Sequence, residues 1–382
     1  MSAPRIVYFG QTPGQGTGSP VILLRHLQRL ANQGWGVSVV GERGTAPAEA
    51  WPFFQLSLRK AWWPPFRPAN PLLRALRMRL WARECAGFFA TPPQAIITYL
   101  SLHSELLSEV AAHYARLSGV PLTVIVHDYP PDFPGFQKQN APPLLRRQNW
   151  ILAQAQQTWF VSPELADCYN VPEPKKQVLM PIPEGCATPV CWNPDFAKQP
   201  VIVYAGYIYP AQMPLFSQLA RTIDEAGGRL LLLSKKTPDL EKLCRREPVE
   251  SHDLFPTNRE ALDYVSSRAA ALLVSYSENA ADMPWITTSF PSKLVEFAHT
   301  GLPTLIVAPK TSAIAHWARQ RNYPDCLALD QLDAVRTFVE ALKNRAAWSE
   351  KSDRVTRLAQ GEFNPDVIQQ ALESSLTGTP AT

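Results

Sequence analysis

Short apolar runs of strand length recur along the whole chain, and each is followed by apolar residues returning at helical spacing. Ile6-Val7-Tyr8-Phe9 is the first. After a glycine-rich loop, Val21-Ile22-Leu23-Leu24, Leu27, Leu30 and Ala31 recur every three or four residues. Gly34 and Gly36 stop that helix, and Val37–Val40 begins again as a strand. Ala95–Tyr99, Leu122–Val126 and Trp159–Val161 continue the series. Strands joined by helices are carried across the sheet in the same direction, so this alternation predicts a parallel sheet with helices on both faces.

The pattern restarts at Val201–Gly206, with a helix predicted over Phe216–Ala226, a Gly227-Gly228 stop, and strands at Arg229–Leu233, Ala270–Val274 and Thr304–Val307. Between the two halves, Pro181–Gly185, Trp192-Asn193-Pro194 and Gln199-Pro200 read as connecting chain. The expected architecture is α/β, two doubly wound Rossmann-like domains facing a central cleft. The N-terminal domain is placed at 1–185, a linker at 186–200, and the C-terminal domain at 201–364. A helix and tail follow at 365–382, with a return to the N-terminal domain left open.

Composition narrows the class. With 46% hydrophobic residues in 382, the chain has enough apolar side chains for proper cores, which excludes a wholly disordered or fibrous chain. Its 37 prolines are roughly twice the ordinary share and are scattered as punctuation. The formal charge of +4 is too mild to imply a nucleic-acid protein. Met1–Arg5 runs straight into a strand rather than a signal-peptide core, and no apolar run approaches the ~20 residues of a membrane span. Six dispersed cysteines with no Cys-x-x-Cys favour buried free thiols, and the expected location is the cytoplasm.

Two loops carry chemical signals. Gly14-Gln15-Gly16-Thr17-Gly18-Ser19-Pro20 lies between the first strand and its helix. Glycines allow close backbone approach and a helix start favours an anion, so Gly16, Thr17 and Gly18 are candidate ligand contacts. The spacing misses both the dinucleotide fingerprint and the P-loop; a plain capping loop is the competing reading. The second signal is Thr287-Thr288-Ser289-Phe290-Pro291-Ser292-Lys293-Leu294-Val295-Glu296, running on to Gly301-Leu302-Pro303. Pro291 and Ser292 mark a helix start and Gly301 its stop. Lys293 and Glu296, three apart, share one face. A cation beside helix N–H groups suits a diphosphate, and a carboxylate one turn on suits a pair of ribose hydroxyls. A solvated surface pair is the alternative.

Phe290–Lys293 through Gly301-Leu302-Pro303 resembles the donor-binding segment of bacterial glycosyltransferases of the GT-B fold, of the family 4 or group 1 type. Weaker likenesses follow in the family's chain order: Gly14–Gly18, Val161-Ser162-Pro163-Glu164-Leu165, Met180–Gly185 in place of the family's crossover, and Val203-Tyr204-Ala205-Gly206. Together they span nearly the whole chain.

The resemblance implies a hexosyltransferase acting from a nucleotide-sugar donor, with Glu296 on the ribose and Lys293 on the diphosphate. Thr288, Ser289, Phe290, Ser292 and Gly206 would complete the donor site, and His127 would stand beside the donor sugar. His127 and Lys293 are thereby the candidate catalytic residues. No metal and no cofactor is expected; the sequence holds no Asp-x-Asp. The implied acceptor is a glycan or lipid-linked molecule of surface polysaccharide or glycolipid synthesis, with no nucleic acid involved. Two positions depart from the family. Thr288 stands where relatives with a Glu-x7-Glu motif carry an acid. Tyr207-Ile208-Tyr209 follows Gly206 where many carry cations. The alternative is therefore a non-catalytic GT-B relative that binds a sugar nucleotide or acts as an interaction partner.

A further feature concerns residues 51–83, which contain no acid. Arg59, Lys60, Arg67, Arg74, Arg77, Arg79 and Arg83 are interleaved there with Trp51, Phe53, Phe54, Trp62, Trp63, Phe66 and Trp81. Basic residues among interfacial aromatics suit anionic lipid head groups, and peripheral membrane association on the cytoplasmic face is the expectation. An ordinary helix packing its Leu and Trp face is the competing reading.

Overall fold

A computed structural model describes residues 3–14, 18–57, 71–89, 91–101, 104–133, 136–185, 187–277 and 281–377. The chain divides into two compact units, Met1–Leu179 with Ile368–Thr382, and Met180–Val367. In the first, the strands are β1 (Arg5–Phe9), β2 (Gly36–Glu42), β3 (Phe53–Leu56), β4 (Ala95–Leu100), β5 (Leu122–Val126), β6 (Gln157–Phe160) and β7 (Lys176–Val178). They form one parallel sheet in the order β3-β2-β1-β4-β5-β6-β7. The second unit holds β8 (Val201–Ala205), β9 (Arg229–Leu233), β10 (Val249–His252), β11 (Ala271–Ser275), β12 (Thr304–Val307) and β13 (Cys326–Leu327), again parallel, in the order β10-β9-β8-β11-β12-β13.

Each sheet reverses its winding once, between β1 and β4 and between β8 and β11. At such a reversal the loops leaving the carboxyl ends diverge, and ligands of doubly wound sheets bind there. The central strands are almost entirely apolar because helices cover both faces: β4 and β5 are wholly buried, with only Thr98 and Thr123 interrupting the aliphatic and aromatic run. The helix Ser19–Asn32 turns Leu23, Leu24, Leu27 and Leu30 inward. Truncating one such leucine costs about 2–5 kcal/mol. Met213–Glu225 does the same in the second unit with Leu215, Phe216, Leu219 and Ile223, starting three residues earlier than the sequence suggests.

Residues 187–200, within the stretch read as a linker, belong to the second unit. Val190 N–H donates to Thr300 O (2.8 Å), and the short helix Asp195–Lys198 buries Phe196 beside Trp348, ring centroids 6.1 Å apart. The helix Pro365–Thr377 supplies buried Ile368, Leu372 and Leu376. Its Gln369 accepts from His26 Nδ1 (2.8 Å), and its Ser375 Oγ accepts from Trp159 Nε1 (3.2 Å), all within the first unit. Of the described cysteines, Cys85 is buried but Cys191 is exposed, so the expectation of buried thiols does not hold uniformly. No helix among the described residues is long and apolar enough to cross a membrane.

Candidate functional site

In the second unit the helix Ser292–Ala298 lies in the crossover from β11 to β12 and so begins at the carboxyl edge of the sheet. Leu294, Val295, Phe297 and Ala298 anchor it in the interior. They carry Glu296 inside with them, only 7% exposed. A buried carboxylate needs donors, and Glu184 N–H provides one to Oε1 at 3.3 Å. That donor belongs to the Met180–Gly185 segment matched above to the family's crossover. Lys293 is half-buried, its Nζ donating to Asn258 Oδ1 (3.2 Å) and standing 5.6 Å from the Phe297 ring centroid. Pro291 precedes the helix and supplies no side-chain cap. The helices at Pro238, Asn258, Ala313 and Arg345 in the same unit are capped by Thr237, Thr257, Ser312 and Asn344.

The loop before this helix is built on a 3-10 turn, Pro284–Thr287. Thr288 is buried and donates its hydroxyl to Trp285 O (3.2 Å); Ser289 N–H donates to the same carbonyl (2.8 Å). Phe290 turns its ring into an aromatic cluster with Trp317 (5.6 Å) and Phe363 (6.2 Å), so it can meet a ligand only through its backbone. Ser292 is exposed. Gly206 directly follows the neighbouring β8, its N–H donating to Leu233 O (3.0 Å). Beyond it an aromatic ledge replaces the family's cations: Tyr207 against Tyr209 (4.8 Å) and Tyr209 against Trp285 (5.0 Å). Lys235 and Lys236 are exposed after the next strand, β9. Cavities of about 610 Å³ beside β13 and about 520 Å³ between Met213–Glu225 and Pro238–Arg246 include neither Lys293 nor Glu296.

The first unit has its own polar cluster at the reversal of its sheet. Gly18 precedes the first helix at φ 79°, a left-handed conformation that glycine adopts without strain. Gly16 and Thr17 lie outside the described residues. Ser19 Oγ and Tyr99 Oη share a hydrogen bond of 2.5 Å, and Tyr99 donates to Asp128 Oδ2 at 3.3 Å. Donation therefore runs from Ser19 to Tyr99 and from Tyr99 to the Asp128 carboxylate, which accepts. Burial, with Asp128 adding to it, holds the Tyr99 phenol well above its ordinary range.

His127 is buried with its ring edge-on to Tyr99, centroids 5.3 Å apart. Burial, then the nearby His26, lowers its pKa to about 3. It is a neutral imidazole at neutral pH, able to donate or accept a hydrogen bond but a poor proton carrier. Ser19, Tyr99, Glu184 and Asn258 were not read from the sequence as site residues. Their only sequence signal is position at the end of an apolar run or beside a motif, which specifies no partner. Among the described residues no three His, Cys, Asp or Glu side chains gather as a metal-ligand set.

No protein-family model and no curated protein matches the chain. Solved structures do, over nearly its full length. A lipopolysaccharide outer core galactosyltransferase, WaaB, in its apo form is 14% identical and superposes with a TM-score of 0.63, covering 98% of this chain and 99% of its own. Alr3699/HepE of Anabaena, in complex with UDP and glucose, is 12% identical with a TM-score of 0.63, covering 98% and 100%. A glycosyltransferase from Rickettsia africae ESF-5 is 9% identical with a TM-score of 0.65, covering 99% of each chain. At these identities the likeness speaks for architecture, and the architecture is that of the GT-B glycosyltransferases.

Proposed function

We propose that the chain is a glycosyltransferase that moves a sugar, a hexose by the family resemblance, from a nucleoside-diphosphate donor to a glycan or lipid-linked acceptor. The observation that carries this reading is the buried Glu296 carboxylate on the crossover helix beside the sheet reversal, with the Lys293 ammonium one turn before it. A carboxylate there accepts from two vicinal hydroxyls of a ribose; the ammonium meets the diphosphate. As the sugar–phosphate bond breaks, positive charge builds at the anomeric carbon and negative charge on the departing diphosphate. Lys293 and backbone N–H groups near Ser292 stabilise the latter. Gly206 and the Thr288–Phe290 backbone border the donor.

The acceptor is assigned to the first unit. Neutral His127 orients a sugar hydroxyl by hydrogen bonding, and Asp128, which already accepts from Tyr99, is the nearest base for an acceptor hydroxyl. This reading needs no divalent metal. Synthesis of a surface polysaccharide or glycolipid is the pathway it fits, in line with its likeness to the lipopolysaccharide outer core galactosyltransferase WaaB.

One observation favours a second reading, binding without transfer: the ledge Tyr207–Tyr209–Trp285 stands where cations would neutralise the leaving group. Calorimetric titration with UDP, GDP and ADP, with and without EDTA, tests the site. Failure of all three, or loss of binding on chelation, refutes it. Turnover of a panel of nucleotide-sugars then separates transferase from binder.

A further inference from the structure

The cavity of about 610 Å³ beside β13 has the size of a small-molecule site and lies wholly within the second unit. Its space comes from small side chains. Ala315 and Ala318, at i and i+3, line it from the helix Ala313–Gln320. Ala308 and Ala328 line it from just beyond β12 and β13. Protein interiors are otherwise close-packed, so alanines gathered on one hollow leave room rather than fill it.

Two cations, Lys310 and Arg319, line the same cavity, and no Asp or Glu does. Lys310 stands before the helix and Arg319 in its last turn, yet Arg319 Nη1 reaches back to donate to Lys310 O at 3.0 Å. That bond occupies one of the five N–H donors of the guanidinium. Neither cation is in an ion pair among the described residues. Other arginines are matched by acids: Arg321, two residues on, by Glu362 (2.6 Å), and Arg74 of the first unit by Glu109 (2.8 Å). Arg59, Lys60 and Arg67, with the aromatic residues among them, lie outside the described residues. Burial pushes the Cys326 thiol, on the cavity wall, up to about 11, and the Arg319 charge pulls the other way. Two like charges on one cavity with no acid between them are unfavourable until an anion joins them.

We propose that this cavity is a second ligand site, for an amphipathic anion whose apolar body lies among the alanines and whose carboxylate or phosphate head meets Lys310 and Arg319. A guanidinium matches the two oxygens of such a head, and the apolar wall takes the part that water rejects. The inference stands apart from the sugar-transfer reading, because neither Lys293 nor Glu296 lines the cavity.

The test is calorimetric titration of the full chain with decanoate, decyl phosphate and decanol. Alkylation of Cys326 by N-ethylmaleimide, read by peptide mass spectrometry, locates the binding. The anions are expected to bind and to slow labelling of Cys326, leaving the exposed Cys191 unchanged as internal control. The tighter of the two heads separates a free carboxylate from a lipid phosphate as the source. Decanol, with the same chain and no charge, should bind roughly tenfold more weakly. Arg319→Gln, at an exposed position, should weaken anion binding about tenfold. Ala328→Leu should weaken it by narrowing the cavity. UDP should neither displace the anion nor protect Cys326. Failure of both anions to bind the wild type, decanol binding as well as decanoate, or an Arg319→Gln variant that binds like wild type overturns the proposal. So does protection of Cys326 by UDP, which would give the cavity to the nucleotide. If Cys326 resists labelling, calorimetry of Arg319→Gln alone decides.

Discussion

The carboxyl edges of the two sheets, built by the same winding rule, hold opposite kinds of chemistry. At the first, Ser19, Tyr99 and Asp128 are linked to one another, and the histidines alongside are buried and neutral. At the second, a buried carboxylate and a half-buried ammonium sit on one short helix. An edge of linked hydroxyls, neutral imidazoles and one carboxylate suits an uncharged sugar acceptor; an edge that offers an ammonium beside a carboxylate suits a nucleoside diphosphate. Fold similarity alone does not supply this division, because it follows from which side chains the loops deliver.

The contrast can be broken with acid. Burial lowers the pKa of His26 from 6.5 to about 4 and that of His127 from 6.5 to about 3. Above pH 6.5 neither changes stability with pH. Below it the unfolded chain takes up protons that the folded one refuses, so stability falls as the pH drops from 6.5 towards 4. Each histidine contributes up to about 1.4 kcal/mol per pH unit. Hydrogen exchange followed from about pH 7 to pH 4 should show peptides of β1, β4 and β5 losing protection, and His127→Asn should flatten the trend. Earlier loss in the second unit would contradict the comparison.

Glu296→Gln keeps the shape but gives up the charge. Hydrogen bonds to charged groups contribute about 1.5–3 kcal/mol, so UDP or GDP should bind ten- to a hundredfold more weakly by calorimetry, with unchanged circular dichroism. Normal binding by the folded variant would leave this helix as packing only. Lys293→Ala should cost about tenfold against a nucleoside diphosphate and almost nothing against the nucleoside alone, since only the former carries the phosphates. Equal losses for both would move the ammonium's role to Asn258. Tyr99→Phe, the mildest change, removes the hydroxyl between Ser19 and Asp128. It should lower stability by about 1 kcal/mol in urea unfolding and leave nucleotide affinity untouched.

The central strands were legible because full burial leaves an unbroken apolar run. The strands missed are mostly those at the sheet margins, where one side of the strand meets solvent and polar residues interrupt the run. Lys176–Val178, Val249–His252 and Cys326–Leu327 are short and partly exposed, and Phe53–Leu56 falls inside the basic, aromatic stretch. Glu296 and Lys293 could be found because helix spacing alone places them together. The link of Ser19 and Tyr99 to Asp128 could not, because the three meet only once β1, β4 and β5 are laid side by side. The depth of His127 was invisible for the same reason, and with it the loss of its basicity. Within residues 51–83 the sequence shows seven cations alike, whereas Arg74 is committed to Glu105 and Glu109.

The first unit takes in Ile368–Thr377 after the whole of Met180–Val367 has intervened. Gln369 and Ser375, which receive hydrogen bonds from His26 and Trp159, are therefore among the last of its residues to leave the ribosome. At ordinary elongation rates the wait is roughly ten to forty seconds. Through that interval the face that receives Ile368, Leu372 and Leu376 is without its own cover, so the order of synthesis makes the N-terminal unit the later of the two to be completed.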